Sequence, residues 1–210
     1  MALTYPYPLS FLADCLTGDR INLELRRKDE MSGSGDGRFW TYSLAKPLWH
    51  VSIDLYSKSA AHAREINAKI YALDGSTPFL WADPFYEGPV GGNAGGGVTV
   101  GAISTDRDAI SLAGLPAGFE ITAGDYFSVT HTSGREYFAT FAESGTASGT
   151  GNVSNLTVRP VVPFGVTVGA SVRLAAPRMK VMVPPGGFQP FSNFKGRWGD
   201  GASISLVQKP

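Results

Sequence analysis

Apolar and polar residues alternate from Arg20 to Arg27, with Ile21, Leu23 and Leu25 on one face. That is the period of a half-buried strand. Ser32 to Gly37 (SGSGDG) interrupts the pattern and predicts a flexible tip. From Arg38 to Leu55 the chain is rich in aromatic and β-branched residues: Phe39, Trp40, Tyr42, Trp49, Val51 and Ile53, closed by Leu55. Such residues fit a pleated surface. Pro47 lacks the N–H that a ladder requires, so two strands or one bulged edge strand are expected around it. The two runs together predict a long β-hairpin with a glycine tip.

The period lengthens at Ser59. Ala63, Ile66, Ile70 and Leu73 recur at helical spacing and make one narrow apolar stripe. Ser59 can cap the first turn, Glu65 and Lys69 are four apart and can pair on the wet side, and Asp74-Gly75 with Pro78 beyond makes a stop signal. One helix is therefore expected from Ser59 to Leu73, covering one face of a sheet. Phe79 to Pro84 is a short apolar strand closed by proline.

Gly88 to Gly97 is glycine-rich and reads as a domain boundary. Beyond it, strand signals at Val98/Val100, Ile110/Leu112, Ile121, Tyr126 to Thr130, Tyr137 to Phe141, Leu156/Val158 and Val172/Leu174 recur at short intervals. Ser133-Gly134 turns one pair of them into a hairpin. This spacing predicts a small sandwich or barrel. Arg178 to Val183 and Ala202 to Val207 alternate again and end the chain as strands, separated by Pro184 to Gly187 and Asn193 to Gly201.

Composition narrows the class. The 210 residues include 26 glycines and 14 prolines, and only 17% are charged, against about 25% in an average soluble protein. Turns are abundant and solvated helix surface is scarce, which excludes a helical bundle or coiled coil. Apolar residues at 43% can fill a core and exclude global disorder. Net charge is zero, so the chain lacks the basic excess of a protein that coats DNA. Neutrality also gives little protection against self-association. Cys15 is the sole cysteine, which leaves no intrachain disulfide framework. No apolar run reaches the length of a membrane-spanning helix. Leu12 to Cys15 is expected not to be a lipoprotein signal, because no basic region precedes it and Pro6 and Pro8 interrupt it.

Catalytic signals are sparse. His50, His62 and His131 are far apart, without a partner at ligand spacing. Ser133 lies two residues from His131 but shows no orienting acid, and no strained serine elbow occurs. Asp29/Glu30, Asp106/Asp108 and Glu120/Asp125 are expected to be turn residues. Gly95 to Gly97 has no following Lys-Ser/Thr and is not a phosphate loop. Neither an enzyme nor a cofactor is expected. Trp40, Trp49, Trp81 and Trp198 could make a sugar-stacking platform, although core or interface burial is the commoner fate of tryptophan. Trp198, in a glycine-rich segment, is the one expected to be exposed, as a contact residue or sugar platform.

The order of elements resembles a known family. Gly37 to Pro84 (GRFWTYSLAKPLWHVSIDLYSKSAAHAREINAKIYALDGSTPFLWADP) runs from an aromatic-rich strand through a helix of pattern A-x-x-I-x-A-x-I, then L-x-G and a strand closing near proline. It resembles the N-terminal domain of distal tail proteins of long-tailed bacteriophages and phage-like particles. Ile121 to Val129 (ITAGDYFSV) is similar to a strand found in many such tail proteins. Glu136 to Ala142, Gly151 to Pro160 and Gly169 to Arg173 follow in the same order.

The resemblance implies a mainly β fold. Residues 1–88 with 176–210 would form a ring-forming β-sandwich with one flanking helix. Residues 89–175 would form an inserted small β-barrel or sandwich. The hairpin would be a long arm reaching a neighbouring subunit, with Arg38, Phe39, Trp40 and Tyr42 as its contact residues. About six copies would form a ring at the distal end of the tail, joining the tail tube protein to the hub, near the tape measure protein. DNA would only pass through the channel, and no membrane is involved. The protein would be made in the bacterial host cytoplasm and reside in the virion. Inserted domains bind sugars in some relatives, but no residue here carries that property over. The alternative readings are a carbohydrate-binding β-sandwich adhesion module and a hydrolase of unknown type.

Overall fold

The alternating runs on either side of the glycine tip pair antiparallel as one hairpin, formed by β1 (Gly18–Gly33) and β2 (Phe39–Leu55). The structure is a computed structural model and describes residues 7–12, 15–16, 18–73, 77–192 and 201–209. β2 runs through Pro47 as a single strand. The irregularity expected there is a bulge: Arg26 lies opposite Leu48 and Lys28 opposite Ala45, so Lys46 and Pro47 are accommodated by a register shift. A second shift follows between Lys28 and Asp29, leaving Leu44 as the extra residue. Bulges of this kind bend a ribbon and increase its twist.

The single α-helix among the described residues, α1 (Ala60–Tyr71), follows the apolar stripe and buries Ala63, Ile66 and Ile70. Ser59 caps it, its hydroxyl accepting from the His62 N–H at 3.1 Å. Glu65 and Lys69 pair at 2.8 Å, as their spacing predicts. The Asp74-Gly75 stop lies outside the described residues.

Next come β3 (Phe79–Ala82), β4 (Thr99–Ile103), β5 (Ala109–Ala113), β6 (Glu120–Ile121), β7 (Tyr126–Thr130) and β8 (Glu136–Phe141). The chain continues as β9 (Gly145–Thr146), β10 (Val153–Arg159), β11 (Val172–Arg173), β12 (Arg178–Met182), β13 (Phe188–Gln189) and β14 (Ser203–Gln208). The protein is mainly β, with its strands in three sheets. The two-residue strands β9 and β13 carry no alternation of their own and are invisible to pattern reading.

The chain divides into two compact units, one comprising Met1–Pro78 and Val181–Gln208, the other Phe79–Lys180 and Lys209–Pro210. In the first, the hydrogen-bonded order is β1-β2-β14, with β13 paired to β14 and the end of β12, Val181 and Met182, paired to Gln208 and Val207. Val51, Ile53, Leu55, Ile204 and Leu206 are buried here, which explains the alternation in β2 and β14. In the second, the order is β11-β7-β8-β10-β5-β4. Its ends meet: Val100 N–H donates to the Ala170 carbonyl at 2.9 Å, Gly169 N–H to the Val100 carbonyl at 2.8 Å, and Val172 N–H to the Val98 carbonyl at 2.9 Å. Closure leaves β4 no free edge along these residues and surrounds a core that includes Ile110, Leu112, Phe127, Val129, Phe141 and Val158.

Candidate assembly interface

The hairpin has two parts. β14 pairs with β2 from His50 to Asp54. Beyond His50, towards the tip, β2 pairs only with β1 among the described residues. Residues 28–33 and 39–46 thus form a free two-stranded ribbon, here called the arm. Opposed residues of an antiparallel pair share a face. Trp40 opposes Ser32 and Tyr42 opposes Glu30, so these four share one face. Phe39 opposes Gly33 and Thr41 opposes Met31 on the other face.

Both faces meet water. Phe39 is 68%, Trp40 61% and Tyr42 73% exposed, and Met31 and Leu44 are exposed to a similar degree. Moving one large apolar side chain from water into a contact contributes about 1.5–3 kcal/mol. Five large apolar side chains thus stand exposed on the two faces of this ribbon, the kind of surface found where proteins meet partners. Arg38, the fourth sequence candidate, sits at the tip, 3.8 Å from Asp36. The tip itself is a hydrogen-bonded turn: Ser34 N–H donates to the Arg38 carbonyl at 3.1 Å, and Gly35 and Gly37 take positive φ of 55° and 85°. The Ser34 hydroxyl and then the Arg38 N–H both donate to Asp36, holding its carboxyl below the usual range.

At the root of the arm, His50 opposes Glu24 and lies one residue beyond buried Trp49. Partial burial, and secondarily the Arg26 guanidinium, lower its pKa. Sequence reasoning passed over Met31 and Leu44, which continue the apolar surface of the arm. Their signal was present as apolar residues beside a turn, but exposure is not written in residue type.

The remaining sequence candidates fall elsewhere. Trp49 and Trp81 are buried, so Trp40 is the exposed tryptophan among those described, and Trp198 lies outside the described residues. His62 lies in the first turn of α1, its Nδ1 accepting from the Lys58 N–H at 3.2 Å. His131 Nδ1 accepts from Ser133 N–H at 3.1 Å and stands 2.8 Å from the Ser133 hydroxyl. The Nε2 edge of that ring packs on Gly165, where a Cβ would overlap it. Among the described residues no carboxylate hydrogen-bonds to the ring, and the pair shows the turn geometry of a short loop.

Asp125 is buried and accepts from Thr122 N–H at 2.8 Å, closing a turn at Gly124. Asp108 accepts from the Ser104 hydroxyl at 2.8 Å, and Asp29 pairs with Arg27. Among the described residues no group of three or more His, Cys, Asp and Glu could hold a metal, and no helix is long and apolar enough to cross a membrane.

Models of known protein families give no match to the chain, and no curated protein matches it.

Proposed function

We propose that this chain is a structural subunit of a phage-type tail that assembles into a ring of about six copies at the distal end, joining the tail tube to the hub around a channel for DNA. The arm carries this reading. Phe39, Trp40, Tyr42, Met31 and Leu44 are exposed on a two-stranded ribbon that extends beyond its own sheet. An apolar arm that fits a different surface of the next subunit makes a heterologous contact, and heterologous contacts form a ring where the rotation between subunits closes. The motif order from Gly37 to Arg173, which resembles that of distal tail proteins, supports the same reading.

In this reading the first unit is the ring-forming β-sandwich with its flanking helix, and residues 89–175 are an inserted β-barrel. The closed strand order from β11 to β4 supports the latter. Zero net charge suits a channel wall that must let DNA slide without holding its phosphates. Light scattering and negative-stain microscopy on the full chain test the proposal. Rings of uniform size are expected. A monodisperse monomer at high concentration, with no rings in any condition, overturns it.

A further inference from the structure

The first unit carries a second exposed aromatic surface. Tyr71, the last residue of α1, is 64% exposed and meets Phe188 of β13 edge-on, with ring centroids 5.7 Å apart. Arg64 lies seven residues earlier, on the same helix face and about 10 Å along the axis. It is exposed and forms no ion pair with any described residue.

The arm offers the opposite charge in a matching arrangement. Its carboxylates Asp29 and Asp36 have arginine partners, as does Glu24 at its root. Glu30 has none among the described residues, and it stands opposite Tyr42 on the face that also carries Trp40. Trp40 lies two residues from Tyr42, about 7 Å along the strand. Each surface therefore presents aromatic rings beside an unpaired charge of opposite sign, Glu30 on the arm and Arg64 on the helix; the arm also carries Lys28 and Lys46 outside any ion pair with a described residue. Within a single chain neither surface covers the other, because Trp40, Tyr42 and Tyr71 all stay more than half exposed.

We propose that the Trp40–Tyr42 face of the arm docks on the Tyr71–Phe188 patch of a second copy of this chain, with Glu30 facing Arg64. This rests on the ring reading and deepens it by naming the receiving surface and the face of the arm that meets it. Every copy has one arm face and one patch, and the two differ, so the contact is head-to-tail. The phenol and indole supply apolar area at low entropic cost, and the charge pair fixes the register and direction of docking.

The test uses the full chain, sized by sedimentation velocity over a range of concentrations, with circular dichroism to confirm that each variant is folded. Trp40→Ala and Tyr71→Asp should each weaken assembly at least about 30-fold, the scale of a hot-spot residue. Glu30→Arg and Arg64→Glu should each weaken it by about threefold to tenfold, and a chain carrying both should recover. A mixture of the Trp40→Ala and Tyr71→Asp chains retains one intact kind of contact, the arm of the second on the patch of the first. It should give a heterodimer and nothing larger.

If wild type forms rings while Tyr71→Asp and Arg64→Glu form them equally well, the receiving surface is wrong and the ring reading stands. If the double charge swap does not recover, the Glu30–Arg64 pairing is wrong. If wild type is a monomer at every concentration, the ring reading falls and this inference falls with it.

Discussion

At the root of the hairpin, Trp49, Val51, Ile53 and Leu55 are buried on one face of β2. A few residues earlier on the same strand, Phe39, Trp40 and Tyr42 are exposed. Residue type does not separate the two regions, since both are rich in large apolar residues and both pair with β1. The third strand separates them. β14 adds to β2 only from His50 to Asp54 and brings Ile204 and Leu206 into the core there. Where β14 ends, the bulges at Lys46–Pro47 and Leu44 begin, and the ribbon loses its cover. A two-stranded ribbon is marginal in water by itself. The arm continues the register of its covered root and leaves its own apolar side chains exposed.

The comparison breaks if root and arm respond alike to truncation. Ile53→Ala should have the largest effect, about 2–5 kcal/mol of lost stability in urea, because Ile53 is fully buried between its partners Ile21 and Ile204. Tyr42→Ala should leave the monomer within about 0.5 kcal/mol of wild type while weakening assembly by about 2 kcal/mol. An arm that unfolds the monomer when truncated would refute its role as a free surface.

Ser59→Ala, at the cap of α1 and away from both regions, should cost about 1 kcal/mol in the same denaturation and leave the arm unaffected. The smallest effect lies at the boundary. His50 is held below its usual pKa of 6.5 in the folded chain, so the unfolded chain takes up its proton first as pH falls. Stability should be unaffected by this group above 6.5 and decline below it, down to the lowered folded value. Urea midpoints at pH 7 and pH 5 should show a smaller acid loss in His50→Gln than in wild type.

Much of the fold was legible because local periods carried it. The capped helix, the Glu65–Lys69 pair and the strands from Tyr126 to Phe141 follow from spacing alone. β9 and β13 were not legible, because Gly145-Thr146 and Phe188-Gln189 sit beside turns with no apolar alternation around them, and such strands exist only through their partners. Arg38, Phe39, Trp40 and Tyr42 were legible as an aromatic strand beside a glycine tip, whereas Tyr71 and Phe188 were not legible as a patch. They are 117 positions apart in sequence numbering, and only the fold brings their rings together.

The order of apolar and polar residues by itself determined that this chain is mainly β, has one capped helix and carries a long hairpin, because backbone geometry sets those periods residue by residue. Which apolar residues lie in the core and which face water was decided only in three dimensions. Burial depends on whether another strand arrives to cover the surface, and for β2 that strand is β14, joined to it by hydrogen bonds across about 150 residues of chain.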